Sequence, residues 1–206
     1  MQAPTGALSG DTGSVNMVRV STAQASIFFA VLSLACWVAV VGVVALVIVD
    51  RARPGSAPAR LLDDVSRSAL WLAWAVALVT TLGSLYYSEV AHFVPCRLCW
   101  YQRIAMYPLS FTLLVGALHN DRRVWLYAVP QAAVGAAFAA YHTKLQAFPQ
   151  AGSPFCTTTE PCTVRYVWEL GFVSLPFMAL AAFAFVITMT LVARTHAPLP
   201  LRANTP

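Results

Sequence analysis

With 206 residues, 59% hydrophobic and only 10% charged, this chain has too little polar surface to cover a water-soluble globule; a soluble domain carries about a quarter charged residues. Its length suits one domain, and its solvent is lipid. The net charge of +5 fits membrane topology and contact with anionic lipid, and no basic stripe interleaved with aromatics points to nucleic acid.

Residues 1–25 open with small, polar residues and a proline and read as a disordered tail. Ser26–Val49 follows, 24 residues without a charge; a spanning helix takes about 20. The run exceeds the apolar stretch of a signal peptide, and Arg19 is the only basic residue ahead of it, so it is read as a retained span. Cys36, inside it and far from polar neighbours, reads as a small apolar filler. Residues 50–67 form a linker carrying Arg51, Arg53, Arg60 and Arg67. The next apolar runs are Ala69–Ser88, then Ile104–Asn120 extended by Trp100 and Tyr101, then Val124–Tyr141, then Leu170–Ala193. Pro130, Gln131 and Gly135 interrupt the fourth span, which a membrane helix tolerates when neighbours satisfy the freed backbone groups. A tail, 194–206, ends the chain. The expected fold is an all-α integral membrane protein with five spans.

Positive charge marks the cytoplasmic side. The linker, the "NDRR" turn and the last tail carry eight of the 13 basic residues. Placing them inside puts the N-terminus outside. The segments 89–99 and 143–169 then share the outer, oxidising face with Cys96, Cys99, Cys156 and Cys162.

Pro95 before Cys96 favours a helix start, so "PCRLCWYQRIAMYPL" reads as the opening of the third span. A helix N-terminus favours thiolate over thiol. Residues three and four apart share a face, so Cys96, Cys99 and Arg103 line one stripe running from the outer surface into the membrane. Alone, this C-x-x-C is no better evidence for a redox pair than for a bland alternative, a structural disulfide or half of a zinc site. The long outer loop contains "FCTTTEPC", with Cys156 and Cys162 separated by five residues. Pro149, Pro154 and Pro161 argue against regular helix there. Two pairs on one face can exchange a disulfide, or the second pair can simply staple the loop. Four thiolates around zinc fit this spacing loosely, and an oxidising location opposes them. In "YHTKLQAFP", His142 and Gln146 share a face if the fourth helix continues that far. Both can hydrogen-bond a quinone carbonyl, with Arg103 holding a reduced oxygen.

Taken together, "PCRLCWYQRIAMYPL", "YHTKLQAFP", the second cysteine pair and "WELGFVSLPFMALAAF" resemble the DsbB/BdbC family over roughly Ala69–Val192. These are bacterial inner-membrane proteins that reoxidise an extracytoplasmic, DsbA-like thioredoxin-fold oxidase using a quinone, menaquinone or ubiquinone. The resemblance implies a four-helix bundle over residues 68–193, preceded here by one additional helix. It implies Cys99 as the thiolate beside the quinone and Cys96 as its disulfide partner. Arg103 and His142 would lie near the quinone. Cys156 would form the mixed disulfide with the partner and Cys162 would resolve it. Trp168 matches a tryptophan near the last span. The first span and the close-set second pair depart from the family pattern. Competing readings are a metal-binding protein using the cysteines and His142, a structural bundle stapled by disulfides, and a vitamin K epoxide reductase-like protein. In the last of these the C-x-x-C is expected after the loop cysteines, whereas here it comes first.

Overall fold

The structure, a computed structural model, describes residues 12–53, 57–149, 155–156 and 162–195, with side chains from Thr22 onward except at Ala57. Five long helices account for nearly all of them: α1 (Thr12–Ala52), α2 (Ala57–Leu85), α3 (Arg97–Leu118), α4 (Trp125–Ala147) and α5 (Leu175–Thr195). A π-helical turn, Tyr86–Val90, continues α2, and a 3₁₀ turn, Arg122–Val124, leads into α4. The all-α membrane fold expected from composition is what forms. Four segments, Thr22–Ala52, Pro58–Val90, Arg122–Ala147 and Leu175–Thr195, are long and apolar enough to cross a bilayer. α3 has 22 residues, about 33 Å at 1.5 Å per residue. Arg97, Gln102 and Arg103 dilute the hydropathy of its first two turns.

α4 runs on to Ala147, into the loop expected over residues 143–169, and α5 starts at Leu175 rather than at Leu170; two further boundaries differ from expectation. α1 starts at Thr12, so residues 12–25 are helical where a disordered tail was expected; residues 1–11 lie outside the described residues. Adding a residue to an existing helix gains one hydrogen bond, and no proline or glycine occurs between Gly13 and Gly42 to stop it. The linker expected over residues 50–67 is shorter too, because α2 begins at Ala57. Leu62, Ser66, Ala69 and Ala73 recur at helical spacing and are all buried, so one continuous face extends the span. At the far end of the chain, residues 196–206 of the expected tail lie outside the described residues, as do Pro154 and Pro161 of the cysteine loop.

α2, α3, α4 and α5 pack in sequence, and α5 closes the ring against α2. α1 packs outside that ring, against α2 and α5. The four-plus-one arrangement expected from the resemblance is therefore present. In lipid, helices associate through close packing of small residues, and α4 supplies them. Ala128, Ala132, Gly135 and Ala139 lie four, three and four apart and are all buried. At Gly135 a Cβ would collide with the Phe183 ring of α5 and lie 2.9 Å from Ala105 Cβ of α3. Gln131 Nε2 donates to Ala105 O at 2.9 Å, a side-chain link from α4 to α3 in the turn that precedes Pro108.

Arg122, Arg123 and Arg194 lie together at one end. Arg122 Nη1 donates to Ala193 O at 2.6 Å, and Arg194 lies 3.8 Å over the Trp125 ring. These contacts tie the α3–α4 turn to the C-terminus of α5, where free carbonyls favour a cation. The opposite end carries both cysteine pairs. Because the helix contact at Gly135 leaves no room for a side chain, Gly135→Leu should cost about 1–3 kcal/mol. The expected result is a lower melting temperature in detergent, partly restored by adding Phe183→Ala.

Candidate active site

The first cysteine pair is assembled by the start of α3. Pro95 ends the preceding segment, and Cys96, with φ −70° and ψ 170°, is the N-cap. Its sulfur takes the capping role usually filled by an oxygen, accepting from Cys99 N at 3.4 Å. That geometry brings Cys96 Sγ and Cys99 Sγ to 2.9 Å; a disulfide requires about 2.05 Å, so closure needs only a small side-chain shift. Both are thiols, whereas Cys156 and Cys162 are joined as a disulfide. Cys96 stands just outside the span. The hydrogen bond from the Cys99 thiol draws its pKa well below the ordinary thiol range, burial opposes this, and His142 adds to the lowering. Two thiols this close titrate as a unit.

α4 does continue past Tyr141, so His142 and Gln146 stand on one helix, both buried. His142 is 2% exposed and touches both cysteine pairs. Its Nε2 lies 3.0 Å from Cys162 O and 3.8 Å from Cys96 Sγ. Its Nδ1 lies 3.1 Å from Gln102 Nε2. A carbonyl only accepts and the amide nitrogen only donates. The consistent assignment is therefore a proton on Nε2, directed at Cys162 O, and a bare Nδ1 accepting from Gln102.

Arg103 shares the stripe with Cys96 and Cys99, but its head turns towards α2. Nε donates to Ser84 Oγ at 3.0 Å and Nη2 to Ser84 O at 3.1 Å. Tyr107 OH donates to the same Ser84 Oγ at 3.2 Å. The acceptor residue stands just before the π-helical turn at the end of α2, a kind of irregularity frequent at functional sites. Among the described residues no carboxylate lies within ion-pair distance of Arg103. Beside it is a cavity of about 150 Å³ whose polar end is formed by Cys99, Gln102, Arg103 and His142, the remainder being largely apolar. An apolar cavity of that size accommodates one six-membered ring.

Gln146 is not on that cavity. It lines a second one, of about 240 Å³, together with Cys96, Cys99, Cys162 and His142. Its Nε2 donates to Val164 O at 3.0 Å, while its Oε1 is buried without a partner. Arg165 Nε donates to Gln146 O at 3.0 Å, with Nη2 on the same oxygen, and the guanidinium lies 3.9 Å over the Trp168 ring. Gln146 and Trp168 therefore brace the cysteine loop. Downstream, Glu169 and Val173 pair across a tight turn in which Leu170 and Gly171 both have positive φ, which leads the chain into α5. Cys162 is 2% exposed and packs in one apolar cluster with Cys96, Leu98 and Leu145, while Cys156 is half-buried at its edge.

Gln102, Ser84 and Arg165 are the site residues that sequence reasoning passed over. Gln102 was the most findable, since it is polar, lies inside a span and stands three residues after Cys99 on the same face.

The sequence pattern of the family described as "Disulfide bond formation protein DsbB" matches residues 66–193, from within α2 to the end of α5. "Disulfide bond formation protein C" of Bacillus subtilis (strain 168) is 44% identical over 119 residues, covering 57% of this chain and 86% of that protein. "Probable disulfide formation protein C 1" of Bacillus anthracis is 44% identical over 118 residues, covering 56% and 84%. "Probable disulfide formation protein" of Coxiella burnetii (strain Dugway 5J108-111) is 42% identical over 125 residues, covering 60% and 83%. No solved structure matches the chain. The family pattern takes in well over half of the chain, including most of the bundle and both cysteine pairs, and this protein therefore belongs to the DsbB family of disulfide bond formation proteins.

Proposed function

We propose that this protein is a quinone-dependent thiol oxidase of the bacterial inner membrane that reoxidises an extracytoplasmic, DsbA-like thioredoxin-fold dithiol. One observation carries the reading: two cysteine pairs share one apolar cluster, His142 reaches both, and a ring-sized cavity opens beside the inner pair. The clustering of arginines at the other end of the bundle supports an outward-facing site.

The exposure of the sulfurs orders the steps. The partner's thiolate attacks half-buried Cys156, and the S–S bond to Cys162 breaks. The partner's second thiol closes its own disulfide and releases Cys156. Buried Cys162, now a thiolate, attacks Cys96 of the oxidised inner pair, and Cys99 leaves as a thiolate. Cys156 then attacks Cys162, restoring the loop disulfide and leaving Cys96 and Cys99 as a dithiol. His142 Nε2–H stands where it can hold the chain at Cys162 and stabilise charge on Cys96. When bound, a quinone supplies the two-electron acceptor that returns the inner pair to its disulfide. The cavity's size, its apolar wall and its polar end suit such a ring, with Arg103 and His142 as the groups to hold it. Ser84 holds the Arg103 head through Nε and Nη2 at the edge of the cavity. In this reading Gln146 positions the cysteine loop.

A metal site is the second reading, favoured by donor atoms of Cys96, Cys99 and His142 lying within 4.8 Å of one another. Against it, both ring nitrogens of His142 already have partners, and Cys156 and Cys162 are bonded to each other. Stoichiometric zinc or copper in the purified protein, with the inner pair reduced, would favour it.

The deciding assay is quinone reduction by the purified protein given a reduced thioredoxin-fold dithiol, with menaquinone and ubiquinone analogues in parallel. Turnover is expected with at least one of them, and none with either would sink the reading. Cys99→Ser should abolish turnover with every reductant. Cys156→Ser should abolish it with the protein dithiol yet retain it with dithiothreitol, which reduces the inner pair directly. Gln102→Leu leaves Nδ1 of His142 buried and unpaired, a loss of about 1–3 kcal/mol. Steady-state kinetics should then show kcat reduced by about tenfold, and an unchanged kcat would remove Gln102 from the site.

A further inference from the structure

α1 lies outside the residues that match the family, yet it forms part of the ring-sized cavity. Phe29, Leu32, Ser33 and Cys36 line that cavity, which Cys99 and Arg103 line as well. Their spacing places them on one helix face. The other face, with Phe28, Val31, Val38 and Val41, is exposed along the length of the span. α1 packs against both α2 and α5, so the cavity wall between those two helices is completed by the first helix.

The contact is fitted rather than incidental. Phe29 sits on Gly83 of α2, where a Cβ would lie 2.8 Å from its ring. The Tyr87 hydroxyl donates to Ser26 Oγ at 3.2 Å, tying α1 to the π-helical turn. From Phe29 an aromatic row crosses the outer end of the cavity. Its ring lies 5.8 Å from Tyr87, Tyr87 stacks on Phe93 at 5.6 Å, and Phe93 stacks on Tyr166 of the cysteine loop at 4.6 Å. All four rings line the cavity. The same helix thus supplies a side wall and anchors the roof.

We propose that α1 is the specificity wall of the quinone site, with Phe29, Leu32, Ser33 and Cys36 contacting the quinone and setting which ring and proximal tail fit beside Cys99. This rests on the quinone reading above. Ser33 and Cys36 are the small members of the face and leave the space, while Phe29 and Leu32 bound it. A ligand arriving from the bilayer on this side meets α1 before it meets the inner cysteines.

The test uses the full chain in proteoliposomes with an azido-substituted analogue of the quinone that supports turnover. After illumination, mass spectrometry should find the label on the segment 29–36, and excess unlabelled quinone should remove it. In parallel, Ser33→Phe fills the space, and the KM for quinone should rise about tenfold while the KM for the dithiol partner stays unchanged. Should Ser33→Phe fail to insert or fold, Leu32→Ala enlarges the same wall and should shift the preference towards bulkier quinones. Label confined to α2–α5, or label on α1 that unlabelled quinone does not compete away, would overturn the proposal. So would a quinone KM that neither substitution moves. Absence of quinone turnover in the unaltered protein would instead overturn the quinone reading, and the proposal with it.

Discussion

The outer end of this bundle depends on one buried imidazole. His142 is wedged between α3, α4 and the cysteine loop, with Gln102 on one nitrogen and both Cys162 O and Cys96 Sγ within reach of the other. A buried polar group without partners is costly, so every element that contributes a partner is held in place. The inner cysteines sit at the N-cap of α3, the loop disulfide sits against them, and Gln102 fixes which nitrogen carries the proton. Removing any one of these leaves the others facing an unsatisfied group.

The membrane imposes the second constraint. Lipid offers backbone groups no partners, so the chain must be helical wherever it crosses, and irregular backbone is confined to positions that protein covers. The departures from regular helix fit this rule. The π turn at Tyr86–Val90 lies beside the cavity, and Arg103 supplies a donor to Ser84 O next to it. Pro108 of α3 lies inside the bundle's run of helix, one turn after the Ala105 carbonyl to which Gln131 of α4 donates. The small-residue face of α4 brings α3 close enough for His142, near its outer end, to reach Gln102 and Cys96.

Charge is distributed economically along the bundle. The arginines at the α3–α4 turn and the end of α5 cap carbonyls and cover an aromatic ring. Arg165 does similar work at the outer end, where it joins Gln146 to Trp168. Arg103 also stands over a ring, 5.3 Å from the Trp100 centroid, and gives its hydrogen bonds to the neutral Ser84. A cation at the edge of an apolar cavity, with no carboxylate in reach among the described residues, is the arrangement expected of a group that meets an anion generated during turnover.

Much of this was legible in the sequence. Charge-free runs of spanning length require helices in lipid, and the spacing of Cys96 and Cys99 places both sulfurs on one face, because those properties follow from local geometry. The basic segments announced one end of the bundle, and the two cysteine pairs announced the other. The limits of α1 and α2 were not legible, since a helix extends into polar sequence as long as each added residue gains a hydrogen bond. Nor was the division of labour between His142 and Gln146. They share a helix face, but one turn of rise along α4 puts His142 on both cavities and Gln146 on the second alone. Gln102, Ser84 and the first helix entered the site only through contacts between residues distant in the chain. Spacing along a sequence determines which face a residue occupies; packing between helices decides what that face meets.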